Sequence, residues 1–150
     1  MATTSERMAW RCRRDHEWLL ERLHSLDNCV DNLYYYGEVC SDLRGFGGLR
    51  QRCQEIIDTL RQHMPEEEQV FAGLENRNEL QPLLDRLVEE HRIIARDLEG
   101  IMTILESLVN GELLPEDLFT LQDRVRALSA TLQDHIATED RLVMPLLAAA

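Results

Sequence analysis

Basic residues are scarce in this chain: 16 Lys and Arg stand against 28 Asp and Glu, a formal net charge of −12. That balance excludes a nucleic-acid binder or an anionic-membrane binder, both of which need basic surfaces. There is no run of about 18 apolar residues, so no membrane span is expected. The first residues, Met1-Ala-Thr-Thr-Ser-Glu-Arg7, lack the apolar stretch of a secretory leader, so a cytoplasmic location is the expectation. Cys12, Cys29, Cys40 and Cys53 show no Cys-x-x-Cys spacing, which argues against a zinc ribbon or a thioredoxin motif. In a cytoplasmic protein they are expected to be free thiols. Gly and Pro number only 7 and 4 and fall between long segments as punctuation. Period-two alternation of Val, Ile and Thr is almost absent, so a sheet is not expected.

What is present is helix. At 150 residues the chain fits one domain, 1–150, large enough to bury a real core. Segments rich in Leu, Glu, Arg and Gln favour helix. The first runs from Thr4 or Ser5 to Tyr35, with a stripe of Cys12, His16, Leu19, Leu23, Leu26, Val30 and Leu33. The second starts at a Ser41 or Asp42 cap, or only near Leu49. It carries Leu49, Cys53, Ile56, Leu60, His63, Glu67, Val70 and Leu74, with Pro65 expected to bend or unwind it. The third carries Leu80, Leu84, Leu87, His91, Ile94, Leu98, Ile101, Leu105 and Leu108, ending at Asn110-Gly111. Pro115-Glu-Asp opens the fourth, whose stripe is Leu118, Leu121, Val125, Leu128, Leu132, His135, Glu139, Leu142 and Leu146. Four amphipathic helices with short links predict an all-α, antiparallel up-down-up-down bundle.

Polar residues occupy those stripes at six positions: His16, His63, Glu67, His91, His135 and Glu139. A lone core histidine is usually satisfied by a backbone carbonyl. With roughly two stripe positions in seven, four of five histidines landing there by chance is an event of order one per cent. Their levels agree as well. In an antiparallel pair, residues at equal height are equidistant from the connecting turn. The midpoints of His16 and His63, of His63 and His91, and of His91 and His135 are 39.5, 77 and 113, each in an expected loop. All four histidines therefore share one layer. Glu67 and Glu139, four residues beyond a histidine on the same face, sit about one helical turn, roughly 5–6 Å, away. Buried ionisable groups are costly without a partner. Four imidazoles and two carboxylates suit iron, manganese or zinc, and two central carboxylates suit two bridged metals better than one. A buried polar network or a single zinc is the alternative.

One His, His-x3-Glu, one His, His-x3-Glu on a four-helix bundle resembles the hemerythrin-like (HHE cation-binding) family, over nearly the whole chain. The resemblance implies two iron ions, oxo- or hydroxo-bridged, held by His16, His63, Glu67, His91, His135 and Glu139. It further implies a small diatomic or peroxide partner: oxygen, nitric oxide or peroxide is bound, sensed or reduced. Iron storage or delivery is a weaker reading. Oxygen-carrying members have a fifth histidine one turn past the third-helix ligand, where this chain has Ala95. They also use His-x4-Asp on the last helix, a spacing that Asp140 fits. A five-residue step turns away from His135 on a regular helix, so Glu139 is the expected ligand and Asp140 the fallback if the helix bulges. The Ala95 vacancy shifts the expectation from reversible carriage toward reactivity or sensing.

Smaller features have simpler readings. His24 is expected at an edge or on the surface. Cys12 and Cys53 are expected to pack on opposite sides of the histidine layer, and Tyr34-Tyr-Tyr36 at a bundle end. Glu17, Glu90 and Asp134 adjoin the histidines in sequence but point elsewhere on a regular helix. The acceptor for each histidine's second ring nitrogen is not identified by the sequence.

Overall fold

The structure is a computed structural model that describes residues 1–36, 46–74, 78–110 and 115–148. Helix α1 spans Thr4–Tyr36, α2 Phe46–Ala72, α3 Gln81–Val109 and α4 Pro115–Thr138. A 3₁₀ turn, Asn78–Leu80, leads into α3. A π-helical turn, Glu139–Val143, continues α4 directly into α5, Met144–Ala148. No strand occurs among the described residues. The expected Ser41 or Asp42 cap and the Gly111 stop lie outside them.

Local chemistry accounts for the helix limits. At the start of α1 the Thr3 hydroxyl accepts from the Glu6 N–H at 3.1 Å, and the Glu6 carboxylate accepts from the Thr3 N–H at 2.6 Å. This reciprocal capping box satisfies two donors that would otherwise be orphaned. Pro115 opens α4, where its missing N–H costs nothing, and Glu116 and Asp117 lie at the positive end of the helix dipole. Pro65 does not unwind α2: the helix runs through it. Leu60 and His63 before it and Glu67 and Val70 after it are all buried, so packing on both sides holds the helical path.

Each helix packs on its sequence neighbours, and α1 closes the square against α4. That is the up-and-down bundle. Its interior is two apolar clusters separated by one polar layer. Leu19, Leu26, Ile56, Leu60, Ile94, Leu98, Leu128 and Leu132 belong to one cluster. Ala9, Cys12, Val70, Phe71, Leu84, Leu87, Val143, Met144 and Leu147 form the other. Burying a side chain such as Leu or Ile contributes about 1.5–3 kcal/mol, and these two clusters clamp the polar layer from above and below. Cys12 and Cys53 are buried free thiols in opposite clusters. Burial, with Glu67 nearby, pushes the Cys12 thiol up to about 12, and burial alone does the same for Cys53.

Two expectations are corrected. Cys29 is disulfide-bonded rather than free; the expectation rested on a presumed reducing compartment, which residue spacing does not report. On the last helix the stripe slips by one residue. Leu142 is 41% exposed, whereas Val143, Met144 and Leu147 are buried. The π turn inserts an extra residue into the helical repeat, and every core position after it moves forward by one.

Candidate metal centre

All six residues singled out from the sequence meet in the polar layer, each at most 3% exposed. They form two groups of four donors. His16, His63, Glu67 and Glu139 make one; Glu67, His91, His135 and Glu139 make the other. Within each group the donor atoms lie within 4.8 Å of one another. Glu67 and Glu139 belong to both, so they stand between two positions of like composition.

The distances describe a convergent cage. His63 Nε2 lies 2.6 Å from Glu67 Oε1, and His16 Nε2 lies 3.0 Å from Glu139 Oε2. His135 Nε2 is in contact with Glu139 Oε1. His91 Nε2 sits 3.6 Å from Glu67 and 3.5 Å from Glu139, too long for a sound hydrogen bond. His16 and His63 bring their Nε2 atoms to 3.0 Å. The inner atoms Glu67 Oε2, His91 Nε2, His135 Nε2 and both oxygens of Glu139 are buried without a hydrogen-bond partner.

The outer ring nitrogens explain why. His16 Nδ1 is 2.9 Å from Asp140, His63 Nδ1 3.0 Å from Asp15, His91 Nδ1 3.2 Å from Glu68, and His135 Nδ1 2.7 Å from Glu90. A carboxylate accepts, so each Nδ1 is assigned as the N–H that donates, and each Nε2 turns a lone pair inward. Four nitrogen lone pairs and two carboxylates then face one another with no donor among them. Such an arrangement is stable only with positive charge in the middle, supplied by protons or by metal.

The metal-free chain must use protons. Burial alone would push the His16 imidazole down. Its hydrogen bonds to Asp140, Glu139 and Glu67 outweigh that, and it is pushed up to about 12. His91 is pushed up to about 10: burial opposes, and Glu139 and Glu67 prevail. His63 is raised against burial by its bond to and the charge of Glu67. Burial disfavours the charged form of Glu67, yet its close neighbours Glu139, His16, His63 and His91 hold it well below the usual carboxylate range. The donor set fits divalent or trivalent first-row metals, with hard and borderline nitrogen and oxygen ligands. The buried atoms lacking partners are the ones a metal pair would engage.

Glu139 rather than Asp140 enters the cage, even though the helix does bulge there. The π turn begins at Glu139, so His135 and Glu139 keep their regular spacing and only later residues rotate. Asp140 is 39% exposed at its side chain and turns to His16 on α1. Glu90 also departs from expectation: it does not face away from the site but holds His135 on the neighbouring helix. Hydrogen bonds from His135, then Arg86, lower its carboxyl against burial. The four outer acids carried a readable signal. An acid directly precedes His16 and His91, and an acid directly follows Glu67 and Glu139. His24 is exposed, 3.4 Å from Asn28, and lies outside the cage. Tyr34 packs against Tyr35 and Phe119 at the far end of the bundle.

A void of about 10 Å³ adjoins the cage, room for one water-sized molecule. Leu19, Leu60, Met64, Ile94, Leu132 and Ile136 wall it beside the four imidazoles and Glu67. A second void of about 20 Å³ lies by Ala95 and shares Leu60 and Met64 with it.

The family model described as hemerythrin HHE cation binding domain matches residues 8–147 of the chain. No curated protein and no solved structure matches it.

Proposed function

The chain belongs to the hemerythrin HHE cation-binding family, and on that premise we propose that it is a non-haem di-iron protein whose centre binds or senses oxygen, nitric oxide or peroxide. One observation carries the reading: two buried four-donor groups share Glu67 and Glu139. A single ion would leave half of these donors facing one another without a counter-charge, whereas two ions engage all six residues. Iron fits this donor set, and manganese and zinc fit it too.

When bound, the metal pair supplies open coordination positions and electrons for a small ligand. The chain supplies the rest. His16 and His63 would hold one ion, His91 and His135 the other, and Glu67 and Glu139 would touch both. Each ion then has four protein donors, which leaves room for a ligand at either. The walls of the adjoining void, from Leu19 to Ile136, are apolar and suit an apolar diatomic. The Ala95 void shares the Leu60 and Met64 side chains with it, lies between α2 and α3, and is lined also by Arg61 and Glu99.

A di-iron oxidoreductase that reduces peroxide, oxygen or nitric oxide is the second reading, favoured by the same open positions. The lining of the central void weighs against it. Apart from the ligand residues it holds only Leu, Ile and Met, with no group to deliver a proton to a bound ligand. Storage or delivery of iron has less support, because nothing in a closed bundle core suggests a reservoir. The acidic surface supports the proposal that neither nucleic acid nor an anionic membrane is a partner. No helix among the described residues is long and apolar enough to cross a membrane. The cytoplasmic setting stays part of the proposal: the buried free thiols Cys12 and Cys53 are compatible with it, whereas the Cys29 disulfide weighs against it.

The test is kinetic. The iron-loaded protein is reduced anaerobically and given one equivalent of oxygen, nitric oxide or peroxide. A spectral change that persists and reverses when the gas is removed supports binding or sensing. Repeated consumption in the presence of a reductant assigns the oxidoreductase reading, and no response to any of the three overturns both.

A further inference from the structure

The four outer carboxylates are not scattered supports; they close a ring around the bundle. Asp15 of α1 holds His63 of α2, and Glu68 of α2 holds His91 of α3. Glu90 of α3 holds His135 of α4, and Asp140 of the π turn holds His16 of α1. Each helix therefore steadies the imidazole of the next. The ring also adds charge. With Glu67 and Glu139 it brings six carboxylates around the cage. Two divalent ions would leave that shell formally negative by two, whereas two trivalent ions would balance it.

An imidazole N–H that donates to a carboxylate makes the opposite nitrogen a more basic ligand. It favours the more highly charged ion, so the ring does more than orient. It is also uneven. Asp15 and Asp140, behind the His16–His63 position, pair with no Arg among the described residues. Behind the His91–His135 position, Glu68 is likewise free of Arg, but Glu90 also accepts from Arg86 Nε at 3.0 Å. One Glu90 oxygen serves Arg86 and the other His135. The cation there withdraws the charge that the other three acids deliver.

Resting on the di-iron reading above, we propose that the outer ring makes the two metal positions unequal. The ion held by His16 and His63 is the first to become trivalent, and Arg86 keeps the ion at His91 and His135 divalent longer. Asp15, Glu68, Glu90 and Asp140 are positioning residues that act through the imidazoles, and Arg86 acts through Glu90. Each step is a one-electron loss, Fe²⁺ to Fe³⁺, with the electron passing to an added soluble mediator. The Nδ1 protons stay on their imidazoles.

The experiment is a mediated potentiometric titration of the iron-loaded full chain, alongside Zn²⁺ affinity of the same variants. Asp15→Asn and Asp140→Asn keep an acceptor oxygen and lose the charge. Each is expected to raise the first oxidation step by about 59 mV, which is a tenfold weaker preference for the trivalent ion. Arg86→Gln is expected to lower the second step, the opposite sign. A purely orienting role weakens Zn²⁺ binding without moving either potential, and that result overturns the proposal. So does an Arg86→Gln variant whose second step stays put or rises. A wild-type chain that takes up iron but shows a single two-electron wave, unsplit in every variant, refutes the inequality while leaving the di-iron reading standing. A wild-type chain that loads no iron, or iron with no redox step, sinks the di-iron reading and the inference with it.

Discussion

Metal binding by this cage should release protons, and the number follows from its charges. In the metal-free chain at pH 7.5, His16 and His91 carry protons on the cage side, pushed up to about 12 and about 10 by the carboxylates around them. His63 is raised as well. A metal needs the Nε2 lone pair, so each of these imidazoles must give up its inner proton on ligation. At least two protons per chain therefore leave when both positions fill. The apparent overall binding constant should rise about a hundredfold per pH unit, or about 2.7 kcal/mol, from roughly pH 7 until His91 titrates in the metal-free chain near pH 10. Calorimetric titration of the metal-free protein with Zn²⁺, repeated in buffers of different ionisation enthalpy, counts those protons directly. A count near zero would mean that the imidazoles are already neutral in the metal-free cage. The charge balance argued above would then be wrong.

Other outcomes follow from the same geometry. Chelation, with loss of metal confirmed, should lower the melting temperature: saturation a hundredfold above the dissociation constant contributes about 2.7 kcal/mol. At about 2–4 °C per kcal/mol for a chain of this size, an unchanged midpoint in scanning calorimetry would contradict it. The metal-free chain should lose stability on both sides of neutrality. The contribution of His16 and His91 is complete below their ordinary value of 6.5, and it declines until it is gone near pH 10 for His91 and 12 for His16. That of Glu67 is present above its ordinary value of 4.5 and is lost as the pH falls below it. Denaturant midpoints across pH 3–10 would show the dome, and a midpoint rising steadily to pH 10 would not fit. The π-shifted register separates two positions two residues apart. Leu142→Ala on the surface should change stability by less than about 0.5 kcal/mol, whereas Met144→Ala in the core should cost about 2–5 kcal/mol. A larger cost at Leu142 than at Met144 in urea unfolding would place the stripe where a regular helix puts it.

Much of the cage was legible because its residues obey the simplest rule of helical sequence, a shared face. His63 and Glu67, and His135 and Glu139, are four residues apart, and Leu60 and Val70 or Leu132 and Val143 continue the buried face beyond them. Antiparallel connectivity then fixed the level of His16 and His91 from chain position alone. The outer acids were harder to read. Asp15, Glu68, Glu90 and Asp140 lie one residue off the stripe, about 100° round their own helices, so a single-helix view turns them away from the core. Their partners sit on the next helix, and only the packed bundle brings them together. The π turn lies beyond such a reading for a different reason. Periodicity analysis assumes a constant repeat, and one inserted residue at Glu139–Val143 exchanges Leu142 for Val143 in the core. Of the two effects expected of Pro65, a bend or an unwinding, the unwinding does not occur, since packed residues on either side outweigh its effect on an isolated helix.

The central claim is that six buried residues hold two metal ions, and the direct measurement is the metal content of the purified chain. Protein expressed in iron-rich medium, desalted and assayed by elemental analysis should carry close to two ions per chain. His63→Ala and Glu139→Ala should each remove at least one of them while the helical circular dichroism is retained. Less than about one ion per chain, unchanged by either substitution, would contradict the account.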